Sequence, residues 1–115
     1  MSIDNAIQMS TADEFAKWLA EHGASETEQW IAIFKKASGR QTVTFPELLD
    51  VALCYGWVDV KIKGIDQERY AIRFVPRRPK SNWSELNRGT VKRLLDEGRM
   101  TEAGRAVLPD DLYEA

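Results

Sequence analysis

The fold class is indicated most clearly by residues 57–75, which read WVDVKIKGIDQERYAIRFV. Segments 57–63 and 69–75 each alternate apolar and polar residues with a period of two, which is typical of strands with one buried face. The five residues between them are a suitable loop, so the stretch predicts a β-hairpin. Its apolar face, expected to meet the helices, consists of Val58, Val60, Ile62, Tyr70, Ile72 and Phe74.

The segments around the hairpin predict helices and one further strand. Thr11 with Glu14, and Thr44 with Glu47, form capping-box patterns that start two helices, which end near Gly23 and Gly56. Between them, residues 30–34 form a short apolar run typical of a strand buried on both faces. Ser84 and Thr101 are expected to cap a third helix and a short fourth one.

These elements predict an α+β fold in the order α-β-α-β-β-α-α. The sheet is expected to be small, mixed and three-stranded, with helices packed over one face; if the first two strands are adjacent, the helical crossover makes them parallel. The whole chain, 1–115, is expected to be a single domain with a core of about 11–108 and short flexible termini.

Composition excludes several classes of protein. No apolar run approaches the length of a membrane span, and the N-terminus lacks the pattern of a signal peptide. One cysteine, Cys54, and one histidine, His22, exclude an internal disulfide and Cys-rich or multi-His metal sites. We expect a cytoplasmic protein, a monomer or weak dimer, that holds no metal and no cofactor. Both Cys54 and His22 are expected to be structural residues.

Charge is strongly uneven along the chain. Residues 69–93 contain eight basic side chains and one acidic side chain, whereas both ends of the chain are acidic. Such a segment is either an anion-binding surface or a stretch neutralised by the acidic ends in the fold. The sequence leaves both possibilities open.

The segment 73–84, RFVPRRPKSNWS, is the best candidate for a binding surface. Its prolines favour an extended chain, and a helix N-terminus is expected to follow. Arginine forks bind phosphate or carboxylate at two points, and a helix start offers free N–H donors. Candidate ligands in this segment are Arg73, Arg77, Arg78, Ser81 and Trp83, the last as a stacking platform. Alternatively, the arginines hold the acidic termini, Ser81 or Ser84 caps a helix, and Trp83 is core.

A catalytic alternative depends on Asp59. If the hairpin loop is centred on Asp66, Asp59 and Arg73 lie opposite one another on the polar face. Asp59 would then orient Arg73, act as a base, or form only a surface ion pair. The common nucleophile, nucleotide and metalloprotease motifs are missing, which favours binding over catalysis.

Several stretches of the chain resemble the YdeI/OmpD-associated family, also called bacteriocin-protection proteins. In order, they are Trp30, 35–39, 45–47, 52–59, 74–78, 81–87, 98–101 and Gly104. The resemblance implies a bacterial protein linked to envelope stress or bacteriocin tolerance, with no established reaction. Val60 and Val75 stand where that family commonly has small polar residues, which disfavours catalysis further.

The resemblance adds candidates to the proposed anion site. Residues that match the family pattern are Lys36, Ser38, Gly56, Trp57, Asp59, Arg77, Arg78, Ser81, Trp83 and Asn87. Gly56 and Trp57 also have simple structural explanations, as a helix stop and a packing residue. The function expected from the sequence is therefore a non-catalytic module that binds a small anionic ligand. The alternatives are nucleic-acid binding through 69–93, an enzyme of unknown reaction, and a protein partner held by exposed Trp30 or Trp83.

Overall fold

The computed structural model describes residues 5–78, 83–109 and 112, which form one mixed sheet and four α-helices. In chain order the elements are β1 (Ile7–Gln8), α1 (Ala12–His22), β2 (Gln29–Phe34), a 3-10 helix (Lys36–Ser38), α2 (Phe45–Cys54), β3 (Trp57–Gly64), β4 (Arg69–Pro76), α3 (Glu85–Asp96) and α4 (Glu102–Arg105). The α+β class is confirmed. No helix in these described ranges is long and apolar enough to cross a membrane.

The predicted helix starts are confirmed by their caps. The Thr11 hydroxyl accepts the Glu14 N–H, and the Glu14 carboxylate accepts the Thr11 N–H in return. The same reciprocal pair joins Thr44 and Glu47 at the start of α2. Gly56 follows α2 with a φ of 79°, a left-handed conformation that favours glycine and turns the chain into β3. The fourth helix, which Thr101 caps as predicted, ends at Arg105.

The sheet has four strands in the order β1-β2-β4-β3, so the prediction of three strands is wrong. The missed strand, β1, has only two residues and pairs parallel with β2. Strands β2 and β3, whose adjacency the sequence left open, are separated by β4, which is antiparallel to both. A physical reason is the burial of β2, because its buried backbone N–H and C=O groups need partners at both edges, which β1 and β4 supply.

Helices α1 and α2 cover one face of the sheet, as expected. Their buried side chains pack against Ile31, Ile33, Ile72 and Phe74 of the central strands. A second cluster joins α2 to α3 and α4 and contains Leu53, Cys54, Val91, Leu94, Met100, Leu108 and Leu112. Cys54 is buried in this cluster, and burial raises the pKa of its thiol. We call the opposite face of the sheet the outer face, on which Trp30, Ala32 and Ala71 are also buried.

Strand β3 departs from its predicted pattern. The pairing with β4 shifts between Asp59 and Lys61, which leaves Val60 without a partner in a β-bulge. Val60 and Ile62 are 48% and 53% exposed, so the expectation that they pack against the helices is wrong. Val60 lies in the bulge, and Ile62, although it pairs with Ile72, belongs to the exposed second half of β3, which is an edge strand.

Candidate functional site

Three arginines meet at the end of β4, on the outer face of the sheet. Because Ile72 and Phe74 point into the core, Arg73 between them points to the outer face. There Arg73, Arg77 and Arg78 line a concavity of about 530 Å³, together with Thr27, Val60, Val75 and Pro76. We call this concavity the arginine groove. Apart from Thr27, its other lining residues are apolar.

Arg77 is held in place from three sides. Its backbone N–H donates to the Gly56 carbonyl at 2.7 Å, which fixes the chain just after β4. Its guanidinium carbon lies 3.8 Å from the centre of the Trp83 ring. Burial lowers the pKa of Arg77, whereas the nearby Asp59 carboxylate opposes this shift. Arginine remains charged at neutral pH regardless, so Arg77 offers a partly desolvated and oriented cation.

Arg73 forms a partly buried ion pair with Glu28. The Arg73 Nε and Glu28 Oε1 atoms are 2.5 Å apart, across the β2–β4 pairing. The predicted pair of Arg73 with Asp59 is wrong, because the hairpin pairs Gly64 with Tyr70 and is centred on Gln67 rather than Asp66. This register sets Lys61 opposite Arg73, and after the bulge at Val60 Asp59 lies opposite Phe74. Asp59 instead lies close enough to Arg77 to influence its titration. Lys61 adds a further positive charge beside Arg73.

Lys36 and Ser38 do not join the arginine groove. They form the 3-10 helix that follows β2, whose last residue, Phe34, pairs with Arg69 at the start of β4. Arg77 follows the opposite end of β4, roughly 25 Å of strand away. The Ser38 hydroxyl accepts the Arg40 N–H within its own turn. The predicted site is therefore split between the two ends of the sheet.

The remaining candidates have diverse positions. The Asn87 backbone N–H donates to the Ser84 hydroxyl, so this residue belongs to the cap of α3. Ser81 lies outside the described residues. Trp83 packs on the second cluster beneath Arg77, and Trp30 is only 3% exposed. Neither tryptophan presents an open ring for stacking or a broad apolar patch for a partner.

The interpretation that acidic residues neutralise the basic segment holds for part of it. Arg73 pairs with Glu28 from the acidic N-terminal region, and Arg93 pairs with Asp50 at 2.8 Å. Within the described ranges, Arg78 forms no ion pair and is exposed at the rim of the groove. Neutralisation is thus incomplete around the arginine groove. No three His, Cys, Asp or Glu side chains of the described residues lie close enough together to hold a metal ion.

Sequence reasoning missed Thr27 and Glu28, which border the groove from β2. Both precede a buried strand in an acidic stretch and carry no motif. Only the antiparallel register, with Trp30 opposite Arg73, brings this stretch beside the arginines. A sequence signal for Glu28 would require knowing that β2 and β4 are neighbours.

A sequence model for a family described as "Domain of unknown function (DUF8412)" matches residues 7–107. The match spans most of the 115 residues, and the chain belongs to this family. The suggested membership of the YdeI/OmpD-associated family is therefore wrong, and its link to bacteriocin tolerance does not carry over. The motifs behind that suggestion are short and include helix stops and caps, which recur in unrelated proteins. No curated protein and no solved structure shows significant similarity to the chain.

Proposed function

We propose that this DUF8412 domain binds a small anionic ligand, a phosphate or carboxylate compound, in the arginine groove. The observation that carries the proposal is the convergence of Arg73, Arg77 and Arg78 on one concavity. Guanidinium groups donate paired hydrogen bonds that match the geometry of phosphate and carboxylate oxygens. Three of them around one volume favour a ligand with more than one negative charge.

The environment of the groove strengthens an electrostatic interaction. Val60, Val75 and Pro76 provide apolar walls, and charges interact more strongly where such walls exclude water. Arg77 already bears a desolvation cost, which an anion would offset. Its stacking on Trp83 also reduces the side-chain freedom lost on binding. These features favour a specific site over a merely basic surface.

The other candidate functions receive less support. Single-stranded nucleic-acid sites combine basic grooves with exposed aromatic rings. Here Arg77 covers the Trp83 ring, and Trp30 is buried. Asp59 lies near Arg77, where it balances charge, and this arrangement favours a positioning role over that of a general base.

The test is a ¹H–¹⁵N NMR titration with inorganic phosphate, a nucleotide mixture and a short single-stranded oligonucleotide, each at low and moderate salt. We expect phosphate or nucleotides to shift the amides of Arg73, Arg77 and Arg78 and to saturate. Arg78→Ala should weaken this binding at least about tenfold without unfolding, since Arg78 is exposed. Arg40→Ala removes the same side chain at the opposite end of the sheet and serves as the matched control.

The outcomes of this titration distinguish the binding of a small anion from the binding of nucleic acid. Binding that Arg78→Ala weakens and Arg40→Ala preserves supports the proposal. Oligonucleotide binding that exceeds nucleotide binding and falls steeply with salt would support the nucleic-acid alternative instead. An absence of shifts in the groove with every probe would overturn anion binding.

A further inference from the structure

A second concavity, of about 520 Å³, lies at the other end of the sheet from the arginine groove. It is enclosed by the end of β2, the segment that leads into α2, and the start of β4. We call it the Tyr70 pocket, and the residues that define it here are Phe34, Val43, Phe45, Tyr70, Lys36 and Arg40. Its volume falls within the range of small-molecule sites in proteins, about 300–1,000 Å³.

The walls of the Tyr70 pocket are mainly apolar and aromatic. Val43 is buried, and Phe34, Phe45 and Tyr70 are each half-buried, so their rings keep a surface available. The reciprocal Thr44–Glu47 cap fixes Phe45 as the first residue of α2. Tyr70 is held by pairing with Ile33 on one side and with Gly64, which has no side chain, on the other. Such preformed aromatic walls suit a flat apolar group.

Polar groups stand at the edge of this apolar volume. The Tyr70 hydroxyl forms no hydrogen bond to any described residue, and burial raises the pKa of its phenol, so it stays a neutral donor. The Arg40 guanidinium lies 5.1 Å from the centre of the Phe34 ring. Lys36 is exposed at the same rim and has no ion pair within the described part of the chain.

The acidic side chains nearby already have partners. The Glu68 carboxylate binds the Arg40 Nε at 3.2 Å, and the Glu47 carboxylate accepts the Thr44 N–H and hydroxyl. Lys36 therefore remains as a cation that is not neutralised. The pocket thus pairs an aromatic volume with a lysine that no carboxylate of the described residues binds.

We infer that the Tyr70 pocket binds a small organic monocarboxylate with an aromatic or flat apolar body. The body would lie against Phe45 and Tyr70, and the carboxylate would meet Lys36 and Arg40, with the Tyr70 hydroxyl as an additional donor. This inference is independent of the proposed function, because the two concavities share no residue and lie at opposite ends of the sheet.

Three probes separate the contributions of ring and charge. 3-Phenylpropionate carries both features, 3-phenylpropionamide lacks the charge, and propionate lacks the ring. In a ¹H–¹⁵N titration we expect 3-phenylpropionate to shift the amides of Val43, Phe45 and Tyr70, with a Kd of about 1 mM, a value normal for a ligand of this size. The amide and propionate should each bind at least about tenfold more weakly.

Variants cross-check the position of the site. Lys36→Ala, which removes an exposed side chain, should weaken 3-phenylpropionate binding about tenfold, and Tyr70→Phe should weaken it about threefold. Arg78→Ala in the arginine groove should leave it unchanged. The inference would be overturned if the acid and the amide bound equally well, or if Arg78→Ala weakened binding as much as Lys36→Ala. It would also be overturned if the pocket amides did not shift at up to about 20 mM probe.

Discussion

The guanidinium carbon of Arg77 lies 3.8 Å from the centre of the Trp83 ring. The contact connects a surface charge to the interior, because Trp83 packs on the second cluster between α2, α3 and α4. Cation–π stacking of this kind contributes about 0.5–2 kcal/mol, depending on solvent exposure. The orientation of the proposed anion ligand therefore depends on the packing of the helices behind it.

Truncation of this tryptophan should affect both stability and binding. Trp83→Ala removes a half-buried ring from the second cluster and is expected to lower the free energy of unfolding by about 2–3 kcal/mol. It also frees Arg77, so the affinity of the groove for phosphate should fall several-fold. Urea unfolding and a phosphate titration of the folded variant measure the two effects.

Trp83→Phe is the control for this prediction. The buried Nε1 atom of Trp83 makes no hydrogen bond to the described residues, so the substitution breaks no such bond. The phenylalanine ring still offers an aromatic face to Arg77. It should retain most of the affinity for phosphate. Full affinity in Trp83→Ala would mean that the stacking does not orient Arg77 for the ligand.

Removal of a negative charge beside the groove should strengthen anion binding. Glu28→Gln leaves Arg73 without its ionic partner and should increase phosphate affinity roughly threefold at low salt, with a smaller gain at high salt. Because the pair is only partly buried, stability should change by less than about 1 kcal/mol. Isothermal titration at two salt concentrations measures the gain.

The control for Glu28→Gln is Glu21→Gln, which removes the same charge from α1. It should leave phosphate affinity unchanged, since Glu21 does not border the groove. Weaker binding in Glu28→Gln would contradict the prediction and would show that Glu28 orients Arg73 more than it neutralises it.

Two glycines should respond in opposite ways to alanine. A Cβ atom at Gly104 would lie 2.2 Å from the Cys54 carbonyl oxygen, where the backbones of α2 and α4 meet. Gly104→Ala is therefore expected to destabilise the protein by about 3 kcal/mol or more. Gly89→Ala, within α3, meets nothing within 4 Å and should stabilise by roughly 0.5–1 kcal/mol.

Thermal or urea unfolding of both variants checks these signs. Equal effects of the two substitutions would show that backbone freedom, rather than the close approach of α4 to Cys54, determines the result. A fully stable Gly104→Ala variant would mean that α4 can move away from α2 at little cost.

The hydrogen bonds of Asp66 in the hairpin loop predict that the stability of the protein depends on pH. The Asp66 carboxylate accepts the N–H groups of Glu68 and Arg69, each at 2.8 Å, and these bonds, with the Arg69 guanidinium, lower its pKa. A carboxyl whose pKa is lower in the folded state stabilises the protein fully above its unfolded pKa, about 4. That stabilisation is lost as the pH falls from about 4 through the folded pKa.

Asp66→Asn isolates this contribution. The amide oxygen still accepts the two N–H groups but carries no charge for Arg69. The variant should be less stable than the wild type at pH 6, and the difference should shrink as the pH falls below about 4. Melting temperatures between pH 6 and 3 measure it, and a difference that is constant over this range would contradict the prediction.

Local sequence patterns predicted most of the elements of this fold. The Thr11–Glu14 and Thr44–Glu47 pairs start helices because their hydrogen bonds satisfy donors within four residues. The hairpin was also predictable, since its two strands are contiguous. The two-residue strand β1 was not, because so short a segment has no periodicity of its own and depends on β2 for its hydrogen bonds.

The candidate site was predictable only in part. Arg77 and Arg78 are adjacent in sequence and follow a strand that also carries Arg73, so their proximity is almost a local property. The register of the hairpin is different, since its centre at Gln67 sets Lys61 rather than Asp59 opposite Arg73, and the extra residue at Val60 then shifts the pairing by one. Nothing in the alternating pattern of residues 57–63 indicates that shift.

The positive charge of residues 69–93 and the starts of the helices thus follow from residues close together in sequence. Helix caps and the alternation of strand residues involve only such neighbours. The order of the strands follows from burial of β2 between β1 and β4, which involves residues far apart in the chain. That order brings Glu28 to Arg73, and the antiparallel direction of β2 and β4 sets Lys36 at one end of the sheet and Arg77 at the other. Two separate concavities, rather than one site, result from long-range packing that no local pattern encodes.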